Sequence, residues 1–383
     1  MIKYFHNCTL VTPGQLIPQG ALIVEAGRIA ALGSQEAVVC PAGAQGIDGG
    51  GGYLVPGFID LQINGGFGID FSRSPEAIWQ VGAQLPQFGV TYFLPTLISC
   101  EPDMVQKAQE VIQQGAPQDY LGALALGLHL EGPFLNPAKR GAHPEAFLRS
   151  PDVRAVELWS PQTGIRLVTL APELNGALEV VRRLVKYGVV VGSGHSIASY
   201  AEAMQGVEAG IRYGTHLFNA MPPLDHRQPG LVSALLTDRR TVVGIIADGI
   251  HVDPAVVKLI WEVTGGERLN LVTDAMAGLG MPPGTYQMGE NEVFVDESSA
   301  RLSDGRLAGS RLALDQALRN LKNFTGCSLP EAIQTITSTP AKLLGLAGEY
   351  GQLAVGQVAN LVNLTSDLGV SATYIGGEIA FHS

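Results

Sequence analysis

The sequence predicts an α/β protein: a (β/α)8 barrel of the TIM type, with a small β-sandwich formed by both ends of the chain. Three observations support this fold class. Between residues 55 and 346, apolar strand-like segments alternate with helical segments, which is typical of βα units around a parallel sheet. There are eight such strand-like segments, the number that closes a barrel. Both chain ends instead contain short alternating segments separated by turns.

These patterns divide the chain into three stretches. Residues 1–54 are expected to form the first part of the sandwich, residues 55–346 the barrel, and residues 347–383 the second part of the sandwich. A hairpin insertion near the mouth of the barrel is expected at Met281–Leu307. The predicted terminal strands are Cys8–Val11, Ala21–Glu25 and Arg28–Leu32, with a turn at Thr12–Gln15 and renewed β-structure in Gly351–Phe381.

The barrel strands can be placed individually because each is a short apolar run bounded by turn residues or charges. A doubly wound open sheet is the alternative, but it would gather its polar residues at one switch point, whereas here they end strands throughout the series. The predicted strands are Val55–Gln62, Val90–Thr96, Leu124–Glu131, Ile165–Ala171, Val189–His195, Tyr213–Phe218, Val242–Ala247 and Leu269–Asp274. The predicted helices include Ala177–Tyr187, Ser199–Ala209, Pro254–Thr264, Ser310–Phe324 and Leu329–Leu346.

Composition narrows the class of partner. The chain has 383 residues, 46% of them hydrophobic, and a formal net charge of −11, which argues against nucleic acid or an anionic membrane as a partner. A small phosphorylated substrate is still compatible with this net charge, since a local cluster of basic residues can outweigh the negative charge of the whole chain. No apolar run approaches the ~18 residues of a membrane span. The four scattered cysteines indicate reduced thiols and a cytoplasmic protein.

Three of the predicted strands end in Glu131, His195 and Asp274, and the segment Tyr213–His216 of a fourth ends in His216. The carboxyl ends of barrel strands meet at one face, so these side chains are expected to form one site. One carboxylate and two imidazoles are three ligands with room for water, as in catalytic zinc sites. Asp274 would then be the general base. Taken singly, each histidine could be structural, Glu131 could cap a strand, and Asp274 could cap the following segment.

Eight motifs occur in an order that resembles the amidohydrolase superfamily, and within it the deacetylases of amino sugar 6-phosphates. The resemblance covers nearly the whole chain and implies hydrolysis of the N-acetyl group of N-acetylglucosamine 6-phosphate to glucosamine 6-phosphate and acetate. It also implies a homodimer whose phosphate site borrows from the neighbouring subunit. The motifs are LVPGFIDLQING, HLEGPF, KRGAH, GSGHS, THLFNAM, ADGIHV, LVTDAMAG and GRLAGS.

The resemblance implies roles for individual residues. Glu131, His195 and His216 fall on the metal ligands, Asp274 on the catalytic acid/base, and His143 on the residue beside the scissile carbonyl. An imidazole there can stabilise the developing oxyanion, whereas without the motif His143 could equally be a surface residue. An arginine in the loop DHRQPG suits phosphate oxygens but could also be merely solvated. The implied substrate-binding residues are Gln62, Ala142, His143, Asn219, Ala220, Arg227, His251, Leu307, Ala308 and Gly309.

The first predicted strand departs from the wider superfamily. Many members have His-x-His there for a second metal, but this chain has Gln62-Ile63-Asn64. Neutral amides are poor ligands for such an ion, so we expect one divalent metal per chain, with Zn2+ the first choice and Fe2+ an alternative. Three other functions stay open: another amidohydrolase reaction, an N-acetylgalactosamine-6-phosphate deacetylase, and a non-catalytic scaffold. The scaffold is disfavoured because the ligands and the base are all present.

Overall fold

The structure is a computed structural model that describes residues 1–12 and 14–383. It confirms the predicted fold class: a parallel eight-stranded barrel accompanied by a separate sheet from the two chain ends. Among the described residues, no helix is both long and apolar enough to cross a membrane. The barrel strands are Phe58–Ile63, Val90–Ile98, Leu128–Glu131, Ile165–Leu170, Val190–Ser193, Tyr213–Gly214, Val242–Ile245 and Leu269–Leu271.

The helices lie between and after the barrel strands, and the longest of them, Pro254–Arg268, starts at an Asp253 side chain that accepts a hydrogen bond from the N–H of Ala255. Tyr200–Ala209 starts at a Ser199/Glu202 capping box. The α-helices are Ile78–Gly82, Pro102–Gln114, Ala177–Lys186, Tyr200–Ala209, Gly230–Thr237, Pro254–Arg268, Leu314–Thr325, Leu329–Gln334 and Ser338–Leu343.

The terminal sheet has a hydrophobic core of its own, formed by side chains such as Leu10, Leu22 and Leu361. The predicted turn at Thr12–Gln15 includes Pro13, which lies outside the described residues, but the strands on either side pair antiparallel. Hydrogen bonds join all eight strands into one sheet: Lys3–Thr12, Gln15–Glu25, Arg28–Ser34, Gln45–Asp48, Tyr53–Pro56, Leu361–Leu364, Val370–Ile375 and Glu378–His382.

The predicted strand Val55–Gln62 proves to be two strands. Tyr53–Pro56 pairs antiparallel with Leu361–Leu364 in the terminal sheet, whereas Phe58–Ile63 belongs to the barrel. Gly57 lies between them, at a point where any side chain would collide with Thr91. The apolar character of this run is continuous because both strands are buried, and composition alone therefore does not reveal the division.

The barrel closes between its last and first strands through an unusual seam. At the mouth, the N–H of Asp274 donates to the carbonyl of Gln62 (2.9 Å). At the opposite end, the carbonyl of Ile336 accepts from Ile59 (2.8 Å) and that of Thr335 from Leu271 (3.3 Å). The predicted helix Leu329–Leu346 is therefore wrong in this region: it is interrupted between Gln334 and Ser338, where the chain supplies these carbonyls.

The predicted insertion is present as a three-stranded antiparallel sheet, Gly284–Met288, Asn291–Val295 and Ala300–Arg301. Its inner side chains, Met288, Val293 and Val295, form a hydrophobic cluster with Met276 and Ala308. The following helix begins at Leu314 rather than at the predicted Ser310, because Ser310 is engaged elsewhere: its N–H donates to the carbonyl of Asp274 and its hydroxyl to that of Thr273.

Candidate active site

Glu131, His195 and His216 converge at the mouth of the barrel. Oε1 of Glu131 lies 2.7 Å from Nε2 of His216 and 3.1 Å from Nε2 of His195, and the two Nε2 atoms are 3.1 Å apart. All three side chains are buried. Three ligand atoms around a metal with bonds of about 2.0–2.1 Å would stand about 3.3 Å apart in a tetrahedral shell. This cluster could therefore hold a metal ion after a small outward adjustment.

The ring orientation of His195 fits that interpretation. Its Nδ1 lies 2.8 Å from the carbonyl oxygen of Lys139, so Nδ1 carries the proton and Nε2 presents a lone pair to the cluster. The pKa of His216 is raised to about 9: burial lowers it, but the charge of Glu131, its hydrogen bond to His216 and the charge of Asp274 together outweigh that desolvation. The pKa of Glu131 is held well below its usual range by the His216 charge and by the neighbouring imidazoles of His143, His195 and His216, despite its burial.

The residues at this mouth do not end strands as directly as the sequence predicts. The strands before His195, His216 and Asp274 end at Ser193, Gly214 and Leu271, so the predicted bounds are too long by two to four residues. The three residues have positive φ values of 49°, 27° and 49°. Such a conformation is uncommon outside glycine and interrupts the ladder, but it turns each side chain towards the barrel axis.

Asp274 is held by the two amides of the first strand end. Its Oδ1 accepts hydrogen bonds from Nδ2 of Asn64 (2.6 Å) and Nε2 of Gln62 (3.1 Å), and the same Gln62 amide reaches Oε1 of Glu131 (3.2 Å). Burial, together with the charge of Glu131, raises the pKa of Asp274 to about 6. Sequence reasoning singles out Gln62 as a substrate contact but misses the role of Asn64.

His143 is fixed by Ser99. The backbone N–H of Ser99 donates to Nδ1 of His143 (3.0 Å), so the proton of the neutral ring is on Nε2. Burial lowers the pKa of His143 to about 4, with the neighbouring His195 acting in the same direction. Nε2 lies 3.7 Å from Oε2 of Glu131. His143 therefore offers a neutral N–H donor beside the metal-ligand cluster.

A cavity of about 500 Å3 lies above these residues. Its walls include three cationic side chains that sequence reasoning missed, Lys139, Arg140 and Arg306; the motif KRGAH contains the first two and was the available signal. Two predicted substrate contacts do not line this cavity: Gln62 is buried beneath it, and Arg227 lies in an exposed loop. The predicted contacts that line it are Ala142, His143, Asn219, Ala220, His251, Leu307, Ala308 and Gly309.

The barrel and the site define the class of protein. A sequence model described as the Amidohydrolase family matches residues 53–380. The chain belongs to this family. More distant likeness to members such as an enamidase, at 14% identity and a TM-score of 0.64, reflects the shared fold.

Within that family, the chain is similar over its full length to N-acetylglucosamine-6-phosphate deacetylases. The human enzyme is 40% identical, with 100% of this chain and 96% of the relative aligned, and the Bacillus subtilis enzyme is 35% identical, with 98% and 96% aligned. The crystal structure of the Pasteurella multocida enzyme has a TM-score of 0.92 at 32% identity, covering both chains completely. A Mycobacterium smegmatis mutant enzyme in complex with N-acetyl-D-glucosamine-6-phosphate has a TM-score of 0.90 at 34% identity, covering 99% of each chain.

Proposed function

We propose that this protein hydrolyses the N-acetyl group of N-acetylglucosamine 6-phosphate to give glucosamine 6-phosphate and acetate. The observation that carries the proposal is the convergence of Glu131, His195 and His216 beside a buried base, Asp274, and a neutral donor, His143. Full-length similarity to deacetylases of this substrate supports the same reaction. A scaffold without activity has no need for this arrangement of buried polar groups.

Glu131, His195 and His216 would hold one divalent ion, and their mixed nitrogen and oxygen donors support Zn2+ over harder cations. When bound, such an ion polarises an amide carbonyl and lowers the pKa of a water from 15.7 to about 7. Gln62 and Asn64 occupy the place of a second pair of imidazole ligands and instead bond Asp274. We therefore propose a single metal per chain.

Asp274 would transfer the proton, and His143 would stabilise the negative charge that develops on the carbonyl oxygen. With Oδ1 bonded by Asn64 and Gln62, Asp274 has Oδ2 available to take a proton from the attacking water. A pKa of about 6 leaves it mostly ionised at pH 7, yet basic enough to deliver that proton to the departing amine nitrogen. The Nε2–H of His143 would donate to the carbonyl oxygen as negative charge develops on it.

The cationic side of the cavity suits the 6-phosphate. Lys139, Arg140 and Arg306 line it, together with His251, whose Nδ1 bonds Oδ2 of Asp248 at 2.6 Å. A phosphate dianion beside these groups gains charge-assisted hydrogen bonds that a free hydroxyl does not offer. The net charge of −11 is thus no obstacle to an anionic substrate at this site.

The test is acetate release from N-acetylglucosamine 6-phosphate, from N-acetylglucosamine, and from N-acetylgalactosamine 6-phosphate, on protein of known metal content. We expect turnover of the first substrate, a large loss without the phosphate, and about one metal per chain. Bound metal without acetate release from any of the three would refute the proposed reaction. A preference for the galactosamine compound would reassign the sugar while keeping the chemistry.

We also propose that the protein is a homodimer in which Arg227 acts on the neighbouring site. Arg227 is exposed, and its side chain makes no hydrogen bond or ion pair with any described residue. In the same loop Leu224 has half of its surface exposed, which suits a contact with a second copy.

The four free cysteines are consistent with a cytoplasmic location for such an enzyme.

Subunit complementation tests the dimer. Arg227→Ala and Asp274→Asn chains, each nearly inactive alone, are mixed under conditions that exchange subunits. If Arg227 serves the partner, each mixed dimer contains one site with both residues intact, and the mixture regains about a quarter of wild-type activity. Activity that never exceeds the sum of the two parent variants would show that Arg227 does not act across subunits.

A further inference from the structure

The cavity at the barrel mouth has one apolar wall. Ala142, Met288 and Ala308 line it on this side, whereas the remainder of the lining is mostly polar or cationic. The apolar wall adjoins the reactive groups: Ala142 precedes His143 in the chain, and a Cβ atom on Gly309 would lie 3.0 Å from the carbonyl oxygen of Asp274. The amide to be cleaved must lie among these groups, and this wall is an apolar surface beside it.

The apolar wall is closely packed from behind. Ala142, Met288 and Ala308 belong to a single hydrophobic cluster with Ile98 and Met276, in which every core member is at most 9% exposed. A Cβ on Gly289 would stand 2.9 Å from Cδ1 of Ile98, and one on Gly309 would stand 3.0 Å from Cβ of Met276. The wall therefore has little room to yield to a longer substituent.

Met288 is the largest of the three wall residues and lies on the inserted hairpin, which is fastened to the barrel around it. Asn291 donates through Nδ2 to the carbonyl of Ala142 (2.7 Å), and Asp70 accepts from the N–H of Gly289 (3.2 Å). Arg73 donates to Oε1 of Gln287 (2.9 Å). These bonds on both sides of Met288 fix the position of its backbone relative to the segment that carries His143.

We propose that Met288, together with Ala142 and Ala308, forms the end of an acyl subsite and restricts the substrate to acyl groups of about acetyl size. This specificity role rests on the proposed deacetylase function. A closely packed wall discriminates strongly against added methylenes, whereas an open one would not, since each methylene excluded from an apolar site changes kcat/KM about 10–200-fold. The inserted hairpin thus determines which N-acyl amino sugar phosphates are hydrolysed.

The experiment compares kcat/KM for the N-acetyl, N-propionyl and N-butyryl derivatives of glucosamine 6-phosphate. We expect the wild type to favour acetyl over propionyl by about tenfold or more. Met288→Ala should raise the propionyl-to-acetyl ratio about tenfold and bring butyryl hydrolysis into the measurable range. Met288→Val, which keeps more of the cluster filled, makes the same test if the alanine variant does not fold.

Met281→Ala is the matched control, because Met281 precedes the same hairpin but does not line the cavity. Its propionyl-to-acetyl ratio should equal that of the wild type. A folded Met288 variant with an unchanged ratio, or an equal change in Met281→Ala, would overturn the acyl-subsite proposal. Acetate release by the wild type reports separately on the proposed function, which distinguishes failure of the one from failure of the other.

Discussion

Two of the groups of buried polar side chains inside the barrel differ in their hydrogen bonding. The inner network consists of Thr96, His129, Thr169 and Thr215, all inaccessible to solvent. Nδ1 of His129 meets the hydroxyl of Thr96 (3.3 Å) and Nε2 that of Thr169 (2.8 Å), which in turn meets Thr215 (2.7 Å). Hydroxyls both donate and accept, so this network satisfies its own polar atoms.

The mouth cluster consists of Glu131, His195, His216 and Asp274. Unlike the inner network, it does not pair each donor with an acceptor. Two imidazole nitrogens face each other and the same carboxylate oxygen. Burial lowers the pKa of His129 to about 4, whereas neighbouring carboxylates raise that of His216 to about 9. His129 and Glu131 are two residues apart on one strand and share a face. The comparison supports the proposal that the mouth cluster binds a metal ion, whereas the inner network serves the fold.

Glu131→Gln should have the largest effect. The amide removes the negative charge that two histidines and a metal share, so we expect metal content near zero and at least about a 10³-fold loss of kcat/KM. Inductively coupled plasma analysis and acetate release measure the two quantities. The exposed Glu157→Gln serves as control and should retain both. A metal content near one in Glu131→Gln would contradict the assignment of this ligand.

Asp274→Asn should distinguish the role of a general base from that of a metal ligand within the mouth cluster. The amide cannot accept a proton from water, and we expect kcat to fall by about 10²–10⁴ while the metal content stays near one per chain. Steady-state kinetics and metal analysis of the same preparation test this. Loss of the metal together with activity would instead make Asp274 a ligand.

Asn64→Ala should have an intermediate effect. It removes the shorter of the two N–H donors to Oδ1 of Asp274, and we expect kcat to fall about 10–100-fold with little change in KM. Asn64→Gln, whose amide is one methylene farther from the backbone, should recover only part of this loss. Unchanged kcat in the alanine variant would show that Gln62 alone positions the base.

His129→Leu should have the smallest effect on catalysis and should change stability instead. It leaves the Thr96 and Thr169 hydroxyls short of a partner, so the free energy of unfolding should fall by about 1–3 kcal/mol. Urea denaturation measures the stability, while metal content and kcat per bound metal should stay within about twofold of wild type. Metal loss in this variant would show that the inner network also contributes to metal binding, which contradicts the distinction between the inner network and the mouth cluster.

Particular elements show how far sequence reasoning reached. The eight barrel strands, the terminal sheet and the inserted hairpin follow from apolar runs and turn residues, because these patterns are local. The predicted bounds of strands and helices are wrong where contacts between distant segments determine where an element ends. One apolar run divides between two sheets at Gly57, where Thr91 leaves no room for a side chain. The break after Gln334 exists because the barrel seam needs carbonyl groups at that point.

For the site, residue identity at strand ends was enough to group Glu131, His195, His216 and Asp274, since the barrel topology brings all such ends to one face. The sequence did not reveal that Asn64 bonds Asp274, that Ser99 sets the tautomer of His143, or that Met288 faces the cavity. Those relationships join residues 44 to 210 positions apart. The residue types of the candidate site can be identified from the sequence. The orientation of their side chains, and the wall that Met288 forms in the cavity, depend on contacts between segments that are distant in the chain.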